Sequence, residues 1–140
     1  MKSYTVDSVA LIHYLLDILP ERARAAVEDA ESGDANLELP SIVLAETSYI
    51  LRKREEIRGI SVEEVAEPED VRSVLDAIER ESPIELVRTD YGELRRLAGR
   101  MDEFSIHDAM IVASHERRGT DAILTKDGVI ADSDVPIVWD

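Results

Sequence analysis

The chain has no cysteine. Without a thiol there is neither a disulfide framework nor a thiolate metal site, so any bound metal has to be held by oxygen or imidazole. Lysine is nearly as scarce: 3 of the 16 basic residues are lysine and 13 are arginine, against 31 acids, for a net charge of −15. That balance argues against a general phosphate-coating protein, whose affinity rests on clustered lysine and arginine. A nucleic-acid enzyme stays open where metal ions and local arginines supply the positive charge. Many acids with few lysines also fit a protein adapted to high salt, where the screening length contracts to about 3 Å at 1 M and self-repulsion weakens. Long hydrophobic runs are missing too. The apolar stretch after Asp7 is broken by His13 and Asp17, which suits neither a secretory segment nor a membrane span, so a soluble, cytoplasmic protein is expected. Internal repeats and low-complexity tails are also lacking.

What is present is an alternation of short apolar strands and helical periodicity over 140 residues, 44% of them hydrophobic, enough for a single domain spanning residues 1–140. "SYTVDSV" reads as a strand ending at Asp7, followed by a helix through "VALIHYLLDIL" and a second, "ERARAAVEDAES", opened by Pro20 and closed by Gly33. "NLELP" is the next strand, and Ser41 is placed to cap a helix through "IVLAETSYILRKREEI". Pro68 opens another helix after an acidic stretch. "PIELVR", "DAILT" and "PIVW" are further strand candidates, separated by helices begun at Thr89 or Asp90 and at Ser105. The pattern is that of an α/β domain with a mainly parallel sheet.

In such a sheet, ligands gather beyond the carboxyl ends of the strands. Asp7 ends the first strand, Asp127 follows "DAILTK", and Glu46 and Asp108 lie near the starts of two different helices. Each acid also has a plain structural reading. Asp7 can cap the helix after it, Asp108 completes a Ser-x-x-Asp capping box with Ser105, and Asp127-Gly128 is an ordinary turn dipeptide. Glu46 fits least well, because it shares a helical face with Ile42, Ala45, Tyr49 and Ile50 and is expected to be buried with no evident arginine partner. Like charges crowded into one cleft imply a cation among them, and Mg²⁺ or Mn²⁺ suits carboxylate oxygens best. In that reading Asp7 and Asp108 hold the ion directly, Glu46 is a ligand or acts on its water as a base, and Asp127 binds a second ion or supports the first.

In their order, "VDSVALI" with Asp7, "LAET" with Glu46, and "IHDAMIVASHERRGTDAILTKD" with Asp108 and Asp127 make a chain that resembles the PIN domain family, particularly the VapC-type toxin ribonucleases. The resemblance spans nearly the whole chain. It implies a five-stranded parallel sheet flanked by helices in three α/β/α layers, and divalent-metal-dependent cleavage of RNA. It also implies that Asp7, Glu46, Asp108 and Asp127 form the acidic cluster, with Ser8 and Thr125 as supporting hydroxyls. A homodimer and a cognate antitoxin protein are its expected partners. One departure is local: the family often carries an aromatic two or three places after the last acid, where this chain has Gly128, Val129 and Ile130.

Other residues attract attention and have plainer explanations. No pair among His13, His107 and His115 has zinc-motif spacing; His115 is expected to pack behind the cleft and His107 to be a bystander. Arginines at 52 and 54, at 95, 96 and 100, and at 117 and 118 can contact RNA phosphates, with Arg95 and Arg96 preferred, but a solvated face paired with glutamates is the commoner arrangement. A rival function is a catalytically inactive PIN-like interaction module whose acidic pocket binds a basic partner segment. A phosphoacceptor receiver domain fits poorly, since the early acidic pair is missing and Glu46 has no place in it. The acidity yields a direct test: on raising KCl from about 0.1 M to about 2 M, the thermal unfolding midpoint followed by circular dichroism is expected to rise. A midpoint that falls or stays level would count against salt adaptation.

Overall fold

The computed structural model describes residues 1–53 and 68–140. Along the chain run β1 (Lys2–Val6), α1 (Ser8–Leu15), α2 (Glu21–Glu31), β2 (Ala35–Pro40), α3 (Ser41–Lys53), α4 (Pro68–Glu81), β3 (Ile84–Val87), α5 (Tyr91–Ala98), α6 (Ile106–Arg118), β4 (Ala122–Leu124), α7 (Gly128–Ala131) and β5 (Ile137–Val138). All five expected strands are present. The expected continuation of α3 past Lys53, Arg54 of the "RKR" run, and the acidic stretch before Pro68 lie outside the described residues.

Short side chains set the helix starts. The carboxylates of Asp7, Asp90 and Asp127 and the hydroxyl of Ser105 each accept a backbone N–H of the first turn they precede, satisfying donors that would otherwise be orphaned. Two expectations shift slightly: Pro20 is itself the N-cap of α2, and Ser41 is the first residue of α3. Helix α7 was not expected at all; the Asp127-Gly128 turn opens a single helical turn instead of a bare loop. At the other end of α6, Gly119 adopts φ 69°, a left-handed conformation that suits glycine, and turns the chain into β4.

The sheet order is β3-β2-β1-β4-β5, with every neighbouring pair parallel. Parallel strands need long crossovers, and these are right-handed almost without exception. The chain steps outward from β1 to β2 to β3, then returns to the opposite side of β1 for β4 and β5. The crossovers before and after that reversal therefore lie on opposite faces of the sheet, giving three α/β/α layers. The main core unites Val6, Leu11, Leu37, Leu39, Val43, Val112, Ile123 and Leu124, and a smaller cluster gathers Ile12, Ile50, Leu51 and Val71. Among the described residues no helix is long and apolar enough to cross a membrane.

One part of the interior is polar. The Thr5 and Thr120 hydroxyls lie 2.8 Å apart, and His115 Nδ1 lies 2.7 Å from Thr120 Oγ1. In register beside Thr5 on β2 is Glu38, whose carboxylate accepts from Nε of Arg118 at the end of α6. Buried Glu93 of α5 is near the same arginine, and its Oε1 has no hydrogen-bond partner among the described residues. Burial pushes the Glu93 carboxyl above the usual carboxylate range; Asp90 and Glu38 push the same way, while Arg118 and Arg117 oppose them. An acid whose folded-state pKa is raised holds its proton more tightly when folded. Its contribution to stability is complete below the unfolded pKa and is lost as pH rises through the folded one. Glu93→Gln, which cannot ionise, is therefore expected to gain on the order of 1 kcal/mol over wild type at neutral pH and little at pH near 4. Denaturant unfolding at the two pH values measures the difference, and an equal gain at both would contradict it.

Candidate active site

The reversal in strand order lies between β1 and β4, and in open α/β sheets this switch point is where a crevice forms beyond the carboxyl ends of the strands. Val6 is in register with Leu124 at the ends of these two strands. The next residue after β1 is Asp7, whose backbone N–H donates to Leu124 O at 3.3 Å. Its Oδ1 accepts from Ala10 N at 2.7 Å, and only 4% of the residue is exposed. Beyond β4, Asp127 donates its backbone N–H to Thr125 Oγ1 at 3.0 Å, and its own Oδ1 accepts from Val129 N at 2.9 Å and Ile130 N at 3.1 Å. Asp127, Ser8 and Thr125 are buried as well. The plain reading of Asp7 as a helix cap is thus correct, and Asp127, expected only as part of a turn, is a helix cap as well; the two stand beyond the carboxyl ends of adjacent strands.

Glu46 and Asp108 reach the same edge from two helices. α3 leaves the carboxyl end of β2, placing Glu46 in its second turn. α6 packs on β1 and β4 and runs back toward the start of β4, so its first turn, with Asp108, faces the carboxyl edge. The Asp108 backbone N–H donates to Ser105 Oγ at 3.4 Å, the expected capping contact. The two helices meet there: His107 Nδ1 lies 2.6 Å from Glu46 Oε2.

That contact corrects one expectation, since His107 is not a bystander, and it supplies the partner that the sequence left unidentified for Glu46, an imidazole. The burial expected of Glu46 is also wrong. The buried side of α3 carries Val43, Thr47, Ile50 and Leu51, whereas Ala45 and Tyr49 are exposed and the Glu46 side chain keeps 21% of its surface. The face was misread by about a third of a turn, because Ile50 lies near its margin. Its position at a helix start signalled that His107 would be exposed, but nothing local pairs it with Glu46 on a different helix.

The four acids therefore occupy one edge, as Asp7 and Asp127 on adjacent strand ends and as Glu46 and Asp108 where α3 meets α6. Among the described residues, no three His, Cys, Asp or Glu side chains are grouped closely enough to hold a metal ion as they stand. The other histidines are structural. His13 Nδ1 lies 2.8 Å from Val9 O, and its ring stands edge-on to Trp139 at 5.0 Å. His115 is buried toward the end of α6 away from Asp108, its Nδ1 2.7 Å from Thr120 Oγ1, and burial holds its imidazole below the ordinary histidine range. Arg95 and Arg96 are exposed on α5, which follows the edge strand β3. Other arginines are paired inside the protein: Arg100 with Glu103, Glu116 and Asp134, Arg117 with Asp90, and Arg118 with Glu38.

Comparison with known proteins agrees with this architecture. No curated protein matches the chain significantly. Among solved structures, it is similar to VapBC2 from Rickettsia felis bound to a fragment of promoter DNA, with a TM-score of 0.71 and 16% identity over 99% of both chains. It is also similar to VapC20 of Mycobacterium tuberculosis, a toxin that cleaves the sarcin-ricin loop, with a TM-score of 0.62 and 16% identity over 94% of this chain and 95% of that one. A toxin-antitoxin complex from Klebsiella pneumoniae gives 0.63 and 15% identity, covering 94% and 92%. The family model of the PIN domain matches residues 4–135. With a match over nearly its whole length, this chain belongs to the PIN domain family.

Proposed function

We propose that this PIN domain is a divalent-metal-dependent endoribonuclease and the toxin of a toxin-antitoxin pair. The observation that carries the reading is the placement of Asp7 and Asp127 on the two strand ends that flank the switch point, with Glu46 and Asp108 delivered to the same edge by α3 and α6. The donor set fits a hard cation: it offers carboxylates with hydroxyls beside them, and the chain has no thiolate. Asp7 and Asp108 would hold Mg²⁺ or Mn²⁺, with Glu46 and Asp127 completing or supporting the set and Ser8 and Thr125 as neighbouring hydroxyls. Such an ion supplies Lewis acidity, lowering the pKa of water and offsetting negative charge on a phosphodiester under in-line attack.

The chain's own residues do the positioning. The caps fix the Asp7 and Asp127 carboxylates through backbone amides, so their orientation is set by the fold before any ligand arrives. The same amides and the start of α6 direct partial positive charge toward the edge where a phosphate would lie. Exposed Arg95 and Arg96 offer contacts to the RNA backbone at a distance from the reacting bond. Similarity to toxin-antitoxin assemblies supports a cognate antitoxin protein as partner, and similarity to a toxin that cleaves the sarcin-ricin loop supports RNA as substrate; a homodimer belongs to the same proposal on the family resemblance alone.

Purified protein is expected to cut single-stranded or loop RNA only when Mg²⁺ or Mn²⁺ is added. Asp7→Asn and Asp108→Asn are expected to abolish cutting while keeping the wild-type circular dichroism spectrum and midpoint: asparagine caps a helix about as well as aspartate at position 7, and the cap of α6 is the Ser105 hydroxyl, which the change at 108 leaves in place. Asp7→Ala removes the cap as well and should cost about 1 kcal/mol of stability. Metal binding without RNA cleavage would indicate an inactive module that binds a basic partner segment. If wild type binds neither ion at any salt concentration, the nuclease reading is wrong.

A further inference from the structure

We infer that His107 is a positioning residue for the candidate metal centre, holding the Glu46 carboxylate against the helix that carries Asp108; this rests on the metal-nuclease reading above. A carboxylate only accepts hydrogen bonds, so His107 Nδ1 donates to Glu46 Oε2 across their 2.6 Å contact. The bond holds the Glu46 carboxylate in one orientation and leaves lone pairs on both of its oxygens for a cation. Glu46 rises from α3, whereas Asp7 and Asp127 are anchored by backbone amides at strand ends and Asp108 belongs to α6. A glutamate on its own has three rotatable bonds and no fixed direction. Its tie to the residue preceding Asp108 gives it one, and brings two of the four acids to a single helix start.

Exposure separates this role from a structural one. The His107 side chain is 53% exposed and that of Glu46 21%, so the pair lies at the rim of the crevice and outside the packed core. An exposed ion pair adds little to stability. A hydrogen-bonding partner of a metal-binding side chain, by contrast, typically changes metal affinity by about 10- to 100-fold when removed. The half-exposed imidazole places His107 at the lower end of that range.

The test is calorimetric titration of Mn²⁺ and of Mg²⁺ into wild type, His107→Ala, His107→Gln and Asp108→Asn, each also melted without metal. The expected result is that His107→Ala weakens metal binding about tenfold with an unchanged midpoint. His107→Gln, whose amide N–H can still donate to Glu46, should recover most of the affinity. In metal-free protein, the His107 ring nitrogen resonance should also move on Glu46→Gln. If His107→Ala binds metal as well as wild type or better while Asp108→Asn fails to bind, the inference about His107 is overturned and the metal centre survives. If wild type itself takes up neither ion, both are overturned together.

Discussion

The parallel pairing of β1 with β4 is the constraint on which the carboxyl edge depends. Each strand alone would end in an ordinary loop. Paired side by side, with crossovers leaving toward opposite faces, they cannot be covered by one connection, and the edge between them stays open. The bond from Asp7 N to Leu124 O continues the ladder one residue past the last paired position, fixing the Asp7 backbone at the end of β4. α6 packs on both strands and delivers its first turn to that edge, where α3 meets it. The crevice is thus a consequence of topology, and its residues are acidic because helix starts accept aspartate readily.

This explains how an acidic site can be assembled from residues that each have a structural occupation. Asp7 and Asp127 each accept backbone amides of the following helix through Oδ1, and these bonds fix the orientation of each carboxylate. Capping and metal binding do not compete as explanations, since a carboxylate has two oxygens and the cap dictates where the group points. Glu46 is the exception. It caps nothing and sits mid-helix, so its direction depends on a side chain from another helix.

That distinction also shows how far the sequence could be read. Strands and helix starts were legible because they are marked locally, by apolar runs and by Asp90, Ser105 and Pro68. A mainly parallel sheet followed from the alternation of strands and helices together with the resemblance in the "VDSVALI" and "IHDAMIVA" motifs, whereas the strand order and its reversal beside β1 were not legible. What the sequence concealed was long-range pairing. Glu46 appeared buried because Ile42 and Ile50 share part of its face, yet the helix turns its other side, with Val43 and Thr47, inward. The partner, His107, lies 61 residues further along the chain on a different helix, and no local rule links the two. Helix α7 was missed for a related reason: the Asp-Gly signal for a turn is the same whether the next three residues coil or not.

The excess of acid bears on how a substrate would approach. Arg100, Arg117 and Arg118 each pair with carboxylates of the same chain, Arg118 with the buried Glu38, which lessens the positive charge they offer a phosphate. Arg118 in particular balances Glu38 and offsets Glu93 beneath α5 and α6. With a net charge of −15, the protein as a whole repels RNA over any distance that solvent leaves unscreened. Concentrated salt shortens that distance to about 3 Å at 1 M, which removes long-range repulsion but leaves direct contacts at the edge intact. Recognition in such a protein would have to rest on short-range geometry at the carboxyl edge, where the caps at Asp7 and Asp127 and the first turn of α6 lie.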